Sequence, residues 1–297
     1  MVATGLGGDV RRSSFSPEPD CAIAQSLGVI GDGWELLIVR DLARGLDRFD
    51  QLADSLHISR KVLTERLTGL VDSGIVERSA YQDRPARYAY RLTPRGRALL
   101  PVLVALQDWG DRWLLGDGRL TATAAADGAE HARVHALTGT RLPEGLELPC
   151  TQGENLPVVS PDAHATVLFT YPGTGVEWGP VPGAAGCALE NRLFRDAWPG
   201  FRRTDVDVRG VSTQFTDEQQ EFAHAEVIPF PLLSDAGHQL TAALRLPTFR
   251  AAGRLRHKRL ILVIDAERTV RHALFPVVDI PHAVDESLRL AAACVRP

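Results

Sequence analysis

The feature that most constrains this chain is a fixed order of patterns between residues 21 and 115: four short amphipathic segments, a strand pair, and a longer helix. Residues 21–31 (CAIAQSLGVIG) and 34–44 (WELLIVRDLAR) place apolar residues at helical intervals and stop at or just before a glycine. Asp47 can cap a third helix whose apolar stripe is Phe49, Leu52, Ala53 and Leu56, with an end expected near His57. Ser59 can cap a fourth, in which Leu63, Leu67, Leu70 and Val71 share one face and leave Arg60, Lys61, Thr64 and Thr68 outward until Gly74. Residues 75–81 and 87–92 read as strands around a polar turn, after which Thr93 and Pro94 open a long helix as cap and first residue. Three helices, a recognition helix, a hairpin wing and a closing helix make a winged helix-turn-helix, an architecture that places one helix in a DNA groove.

At 297 residues the chain is roughly two domains if each takes about 150. Beyond residue 147 the pattern changes to apolar, β-branched runs at 166–171, 206–212, 260–264 and 273–277, separated by helical stretches, as in an α/β domain built on a buried sheet. Residues 116–146, rich in Ala, Thr and Gly, read as a linker with room for one short helix. Residues 1–20 read as a disordered leader: Arg11 and Arg12 precede serines and prolines where a signal peptide would need an apolar core, which suggests a cytoplasmic protein. The expected division is therefore 1–20 leader, 21–115 winged helix, 116–146 linker and 147–297 α/β domain.

Hydrophobic residues at 44% and charged residues at 24% are ordinary globular usage, and the apolar runs are far shorter than the roughly 20 residues of a membrane span, so no membrane partner is expected. The net charge of -4 would argue against a nucleic-acid partner, but its distribution is uneven. Between Ser59 and Arg97 nine Lys or Arg residues face four acidic ones. That excess falls on the fourth helix and the wing. The four cysteines at 21, 150, 187 and 294 fit neither a disulfide framework nor a zinc site, and the histidines show no metal spacing. GLGG at residues 5–8 precedes no helix pattern and is not a phosphate loop. No metal and no cofactor are expected.

The segment running from CAIAQSLGVIGDGWELLIVRDLARGL through SRKVLTERLTGLVDSGIVER to YQDRPARYAYRLTPRGRAL closely resembles the HxlR family of winged-helix transcriptional regulators. The resemblance implies a homodimer that binds double-stranded DNA, with Ser59, Arg60, Lys61, Thr64 and Arg66 near the major groove and Arg84 and Arg87 at the wing. Arg66 has an alternative as a partner for an acid on its own helix. Cys21, at the start of the first helix, matches a position where some such regulators carry a redox-sensing thiol; the bland alternative is a half-buried cysteine. Leu103, Leu106, Trp109 and Trp113 on the long helix are expected in the core and dimer interface.

The second half resembles a peroxiredoxin of the AhpC/TSA type, a thioredoxin-fold family, through YPGTG (171–175), PGAAGCALENRLFRD (182–196), GVSTQ (210–214), PFPLLSD (229–235), LRLPTF (244–249) and KRLILVID (258–265). The resemblance implies that the Cys187 thiolate attacks peroxide and that Arg259, six residues before Asp265, helps hold it ionised. Independently, Leu189, Leu193 and Phe194 follow Cys187 at helical spacing, so the thiol sits at a helix N-terminus, where the dipole favours a thiolate. A fall of about two units from the ordinary value would leave it mainly ionised at neutral pH. Two departures matter: Ala184 stands where the family places a peroxide-positioning Thr, and Arg192 stands where many relatives carry a resolving cysteine. Cys150 and Cys294 remain as candidate resolving thiols. The reading reached is an α+β winged helix joined to an α/β peroxiredoxin-like domain: a DNA-binding regulator sensing peroxide or a thiol-reactive small molecule. The alternatives are a thiol peroxidase carrying a DNA-binding domain, or a thioredoxin-fold module that has lost its chemistry.

Overall fold

The structure is a computed structural model that describes Glu18, residues 20–84 and residues 86–294. Apart from Glu18 and Asp20, the expected leader lies outside the described residues. The first domain runs α1 (Ala22–Ile30), α2 (Gly33–Ala43), α3 (Phe49–Leu56), α4 (Arg60–Asp72), β1 (Val76–Asp83), β2 (Ala86–Leu92), α5 (Pro94–Arg97) and α6 (Leu100–Trp113). Ser59 caps α4 by accepting from the Val62 amide, and Leu63, Leu67 and Leu70 of its inner face enter a core shared with Ile38, Leu52 and Val104. The antiparallel wing β1–β2 pairs Val76 with Leu92 at its base and Asp83 with Ala86 at its tip.

Two details of this domain differ from expectation. Arg48, not Asp47, precedes the first residue of α3, with the Gln51 side chain accepting from its amide. The closing helix is split between α5 and α6, because Pro101 has no N–H to give the Arg97 carbonyl and its ring obstructs a continuous helix.

The rest of the chain comprises α7 (Ala129–His135), β3 (Glu147–Leu148), β4 (Leu156–Pro157), β5 (Ala165–Thr170), α8 (Cys187–Arg203), β6 (Val206–Ser212), α9 (Thr216–Glu226) and β7 (Leu232–Ser234). It continues through α10 (Gln239–Leu244), β8 (Thr248–Ala251), β9 (Arg254–His257), β10 (Leu260–Asp265), β11 (Val270–Leu274) and α11 (Ile280–Ala293). Five strands form one sheet in the order β11-β10-β5-β6-β7, with β5, β6 and β7 parallel and β10 antiparallel to both its neighbours. Period-two alternation sends Val167 and Phe169 of β5, with Ile261 and Val263 of β10, toward α8 and α11. Leu168, Leu260, Leu262 and Ile264 face the opposite layer with Val134 of α7 and Leu240 of α10. Helices on both faces bury the sheet, as in the thioredoxin-like fold. The last strand lies at Val270–Leu274 rather than 273–277: Pro276 cannot donate to a ladder, so pairing stops before it.

The segment 116–146, expected as a linker, is instead packed. Ala122 is buried beside Ala184 and Phe249, while Val134, Leu137 and Leu142 join the core of the sheet. The domains are also docked: α10 lies against α2 and α6, with Ala242 and Leu255 entering the first domain's core. Arg133 donates through both terminal nitrogens to Asp111 at 2.7 Å, and Gln107 donates to the Leu246 carbonyl at 2.9 Å. Among the described residues, no single helix is long and apolar enough to cross a membrane.

Candidate functional site

Cys187 is the first residue of α8, presented by a glycine-rich loop. Gly186 adopts φ +102°, and a Cβ there would lie 2.8 Å from Ile280 and 3.8 Å from an Arg259 nitrogen, so only glycine lets the loop approach both. From the start of β10, Arg259 reaches under this loop. Its Nη2 donates to Cys187 Sγ at 3.3 Å and to the Ala185 carbonyl at 3.1 Å, its Nη1 to the Gly183 carbonyl at 2.8 Å, and its Nε to Glu190 at 2.7 Å. One guanidinium thus braces the loop, the thiol and a buried carboxylate together. Cys187 Sγ also lies 3.6 Å from the Ala184 carbonyl.

Glu190 is not among the site residues expected from the sequence. Its signal was the i, i+3 spacing from Cys187, which puts a carboxylate on the thiol's own helical face. That inner face of α8 is Cys187, Glu190, Asn191 and Phe194, whereas Leu189 points to solvent. The electrostatic outcome is opposite to the lowered thiol expected from a helix N-terminus. Cys187 is only 3% exposed. Burial pushes its thiol up to about 11, with Arg259 pulling down, Glu190 pushing further up, and hydrogen bonds from the Gly173 backbone and Arg259 favouring the thiolate. Burial likewise pushes Glu190 up to about 7 against the pull of Arg259. In this closed arrangement desolvation outweighs the pull of the cation, and the thiol is protonated at neutral pH.

What closes the site comes from the segment preceding the second domain. The Ala122 amide donates to the Pro182 carbonyl at 2.9 Å, and Lys258 Nζ donates to the Thr123 carbonyl at 3.0 Å and to Glu130 at 2.6 Å. Gly183 approaches Thr123 so closely that a Cβ would stand 2.3 Å from its methyl group. Ala184, fully buried, packs in the same small cluster as Ala122, Phe249 and the adjoining Leu120. A threonine there would have to fit its hydroxyl into an apolar contact.

The other cysteines are dispersed. Cys150 is buried in the layer on the opposite side of the sheet and donates to the Glu154 carbonyl at 3.1 Å. Cys294 ends α11, Cys21 caps α1 by accepting from the Ala24 amide, and all four thiols are free. The His131 and His135 rings lie 4.2 Å apart, tilted by 41°, and among the described residues no group of three metal-ligating side chains occurs.

In the first domain, Arg60, Lys61 and Thr64 lie on the exposed face of α4, with Arg60 paired to Asp50 at 3.0 Å and the Thr64 hydroxyl turned back to the Arg60 carbonyl. Arg84 and Arg87 are exposed at the wing tip. Arg66 is diverted: it pairs at 2.6 Å with Asp32, the cap of α2, rather than with an acid on its own helix. Leu106, Trp109 and Trp113 of α6 stay about half exposed, as do Leu27 and, more fully, Ile23 of α1, while Leu103 turns inward to the core.

The profile of the HxlR-like helix-turn-helix matches residues 29–117, and that of the AhpC/TSA family matches residues 138–273. An HTH-type transcriptional regulator of Synechocystis is 40% identical over 95 residues, covering 32% of this chain and 70% of its own. The chain belongs to the HxlR-like helix-turn-helix family and carries an AhpC/TSA domain. YodB of Bacillus subtilis, an HTH-type transcriptional regulator, is 35% identical over 89 residues, 30% of this chain and 80% of its own. A Mycobacterium tuberculosis regulator is 42% identical over 93 residues, 31% of this chain, and the match spans 59% of that relative's length. Among solved structures, the peroxidoxin BcpB of Mycobacterium tuberculosis shares 27% identity with a TM-score of 0.44, covering 51% of this chain and 94% of its own. Peroxiredoxin Q of Xanthomonas campestris shares 23% identity with a TM-score of 0.43, covering 50% and 92%.

Proposed function

We propose that this protein is a homodimeric, duplex-binding transcription regulator whose DNA affinity responds to peroxide or a thiol-reactive compound through Cys187. The observation that carries the reading is the seating of the segment leaving α6 on the loop of an arginine-braced thiol. A change at the sulfur that moves Pro182–Gly186 has a short path to the helix that closes the DNA-binding domain. The chemistry is one two-electron step. Once the loop opens and the thiol loses its proton, the thiolate attacks a peroxide oxygen, the O–O bond breaks, a sulfenic acid forms on Cys187, and the departing oxygen takes up a proton as alcohol or water. The 3.3 Å hydrogen bond from Arg259 to Cys187 Sγ supports a thiolate-stabilising role for the arginine.

Sensing is favoured over rapid turnover by Ala184, which offers peroxide no hydroxyl, and by Arg192, which is engaged with Glu226 where a resolving thiol would stand. The test is duplex affinity of wild type and Cys187→Ser before and after peroxide, with each cysteine's oxidation followed by mass spectrometry. A shift in wild type that Cys187→Ser lacks is expected. An equal shift in both moves the sensor to another thiol, and sustained thiol-dependent consumption of peroxide favours the peroxidase alternative.

A further inference from the structure

Between the two domains lies a cavity of about 590 Å³, bounded by α6, by residues 115–130, and by β8 with Lys258. Its size suits a small molecule. Cys187 does not line it, although Pro182 of the neighbouring loop does. One wall group carries polar demand that a ligand could meet. Glu130 is already committed, its Oε2 accepting from Lys258. Asp108, half-buried on α6, has no base within ion-pair distance among the described residues; burial holds both carboxyls above the usual carboxylate range.

Opposite charge is present but not in contact. Arg250 pulls on Asp108 from the exposed rim without pairing to it, and Arg119 is exposed on the same rim. Leaving a half-buried carboxylate unpaired is costly, so its natural complement is a ligand that supplies a charged donor. An ammonium answers Asp108, while a carboxylate answers the guanidinium forks of Arg250 and Arg119. Phe249 and Leu120 give an apolar wall between the two ends. A simple anion would meet Asp108, and a simple cation would meet Lys258 and Arg250. We propose that this interdomain cavity binds a small zwitterion bearing both a free ammonium and a free carboxylate, of amino-acid to tripeptide size.

The experiment is calorimetric titration of the full chain with trialanine, N-acetyl-trialanine and trialanine amide, without DNA or oxidant, so that its result is independent of the Cys187 reading. Trialanine should bind, with each capped peptide at least about tenfold weaker. Asp108→Asn should abolish the discrimination against the acetylated peptide while keeping that against the amide, and Arg250→Gln should do the reverse. Equal binding of all three peptides, or no heat from any at about 5 mM, overturns the proposal.

Discussion

At the scale of single residues, Cys187 and Arg259 were legible because each sits in a recognisable run of residues, PGAAGC before the thiol and KRLILVID around the arginine. The protonation state was not legible, because the desolvation that sets it comes from the core cluster that Cys187 shares with residues distant in the chain, such as Tyr171 and Val284. A thiol at about 11 is ionised to only about one part in ten thousand at pH 7. Alkylation of Cys187 by iodoacetamide should therefore climb about tenfold per pH unit from neutrality upward, without a plateau near pH 7. Glu190 opposes ionisation by competing for Arg259 and by its own charge. Glu190→Gln keeps the shape and removes the charge, so the thiol should titrate lower; at pH 7, where about half of Glu190 is already neutral, alkylation should rise only about twofold, and at about pH 9, where the carboxylate is ionised, on the order of tenfold. An unchanged rate would mean that loop opening, rather than the carboxylate, limits access.

At the scale of elements, α4 and the wing could be read directly because capping and periodicity are local: Ser59 and the leucine stripe determine where α4 starts and which face it buries. The breaks were harder. Pro101 splits a helix whose apolar pattern runs on, and 116–146 lacks strong periodicity because single residues such as Ala122 and Val134 do its packing. Arg66 shows the same limit, since its partner Asp32 belongs to another helix. The outward bases of α4 and its inward arginine should therefore separate in a DNA-binding experiment. Arg60→Ala and Lys61→Ala should each weaken duplex binding and reduce the magnitude of the salt slope by roughly 0.9 per lost phosphate contact. Arg66→Ala should leave the slope unchanged and lower thermal stability instead, because it strips the ion pair from the start of α2. A slope that falls with Arg66 and not with Arg60 or Lys61 would place a different face of α4 on DNA.

For the whole molecule, α6 has two jobs on opposite sides. One side is committed to the second domain through Gln107 and Asp111. The other leaves Leu106 at 51% and Trp109 at 53% exposed. With Trp113 one turn further on, these side chains form an apolar stripe along one face of α6 that a monomer rarely leaves wet, and the two-fold symmetry of paired half-sites asks for a second copy against it. The periodicity of α6 made the patch partly visible in sequence, yet Leu103 turned inward, because the division of one amphipathic helix between core and surface depends on what packs behind it. Leu106→Asp combined with Trp109→Asp should convert the protein to a monomer by light scattering. Trp113 is the poorer choice, since its ring packs on Gly118 and beneath Arg112 and so also holds the start of the segment that covers the Cys187 loop. The monomeric variant should keep the wild-type pH dependence of Cys187 alkylation, as that site is assembled within one chain, while losing most of its affinity for a two-half-site duplex. If the double variant keeps its dimer mass, the copies meet through another surface and α6 serves only to join the domains.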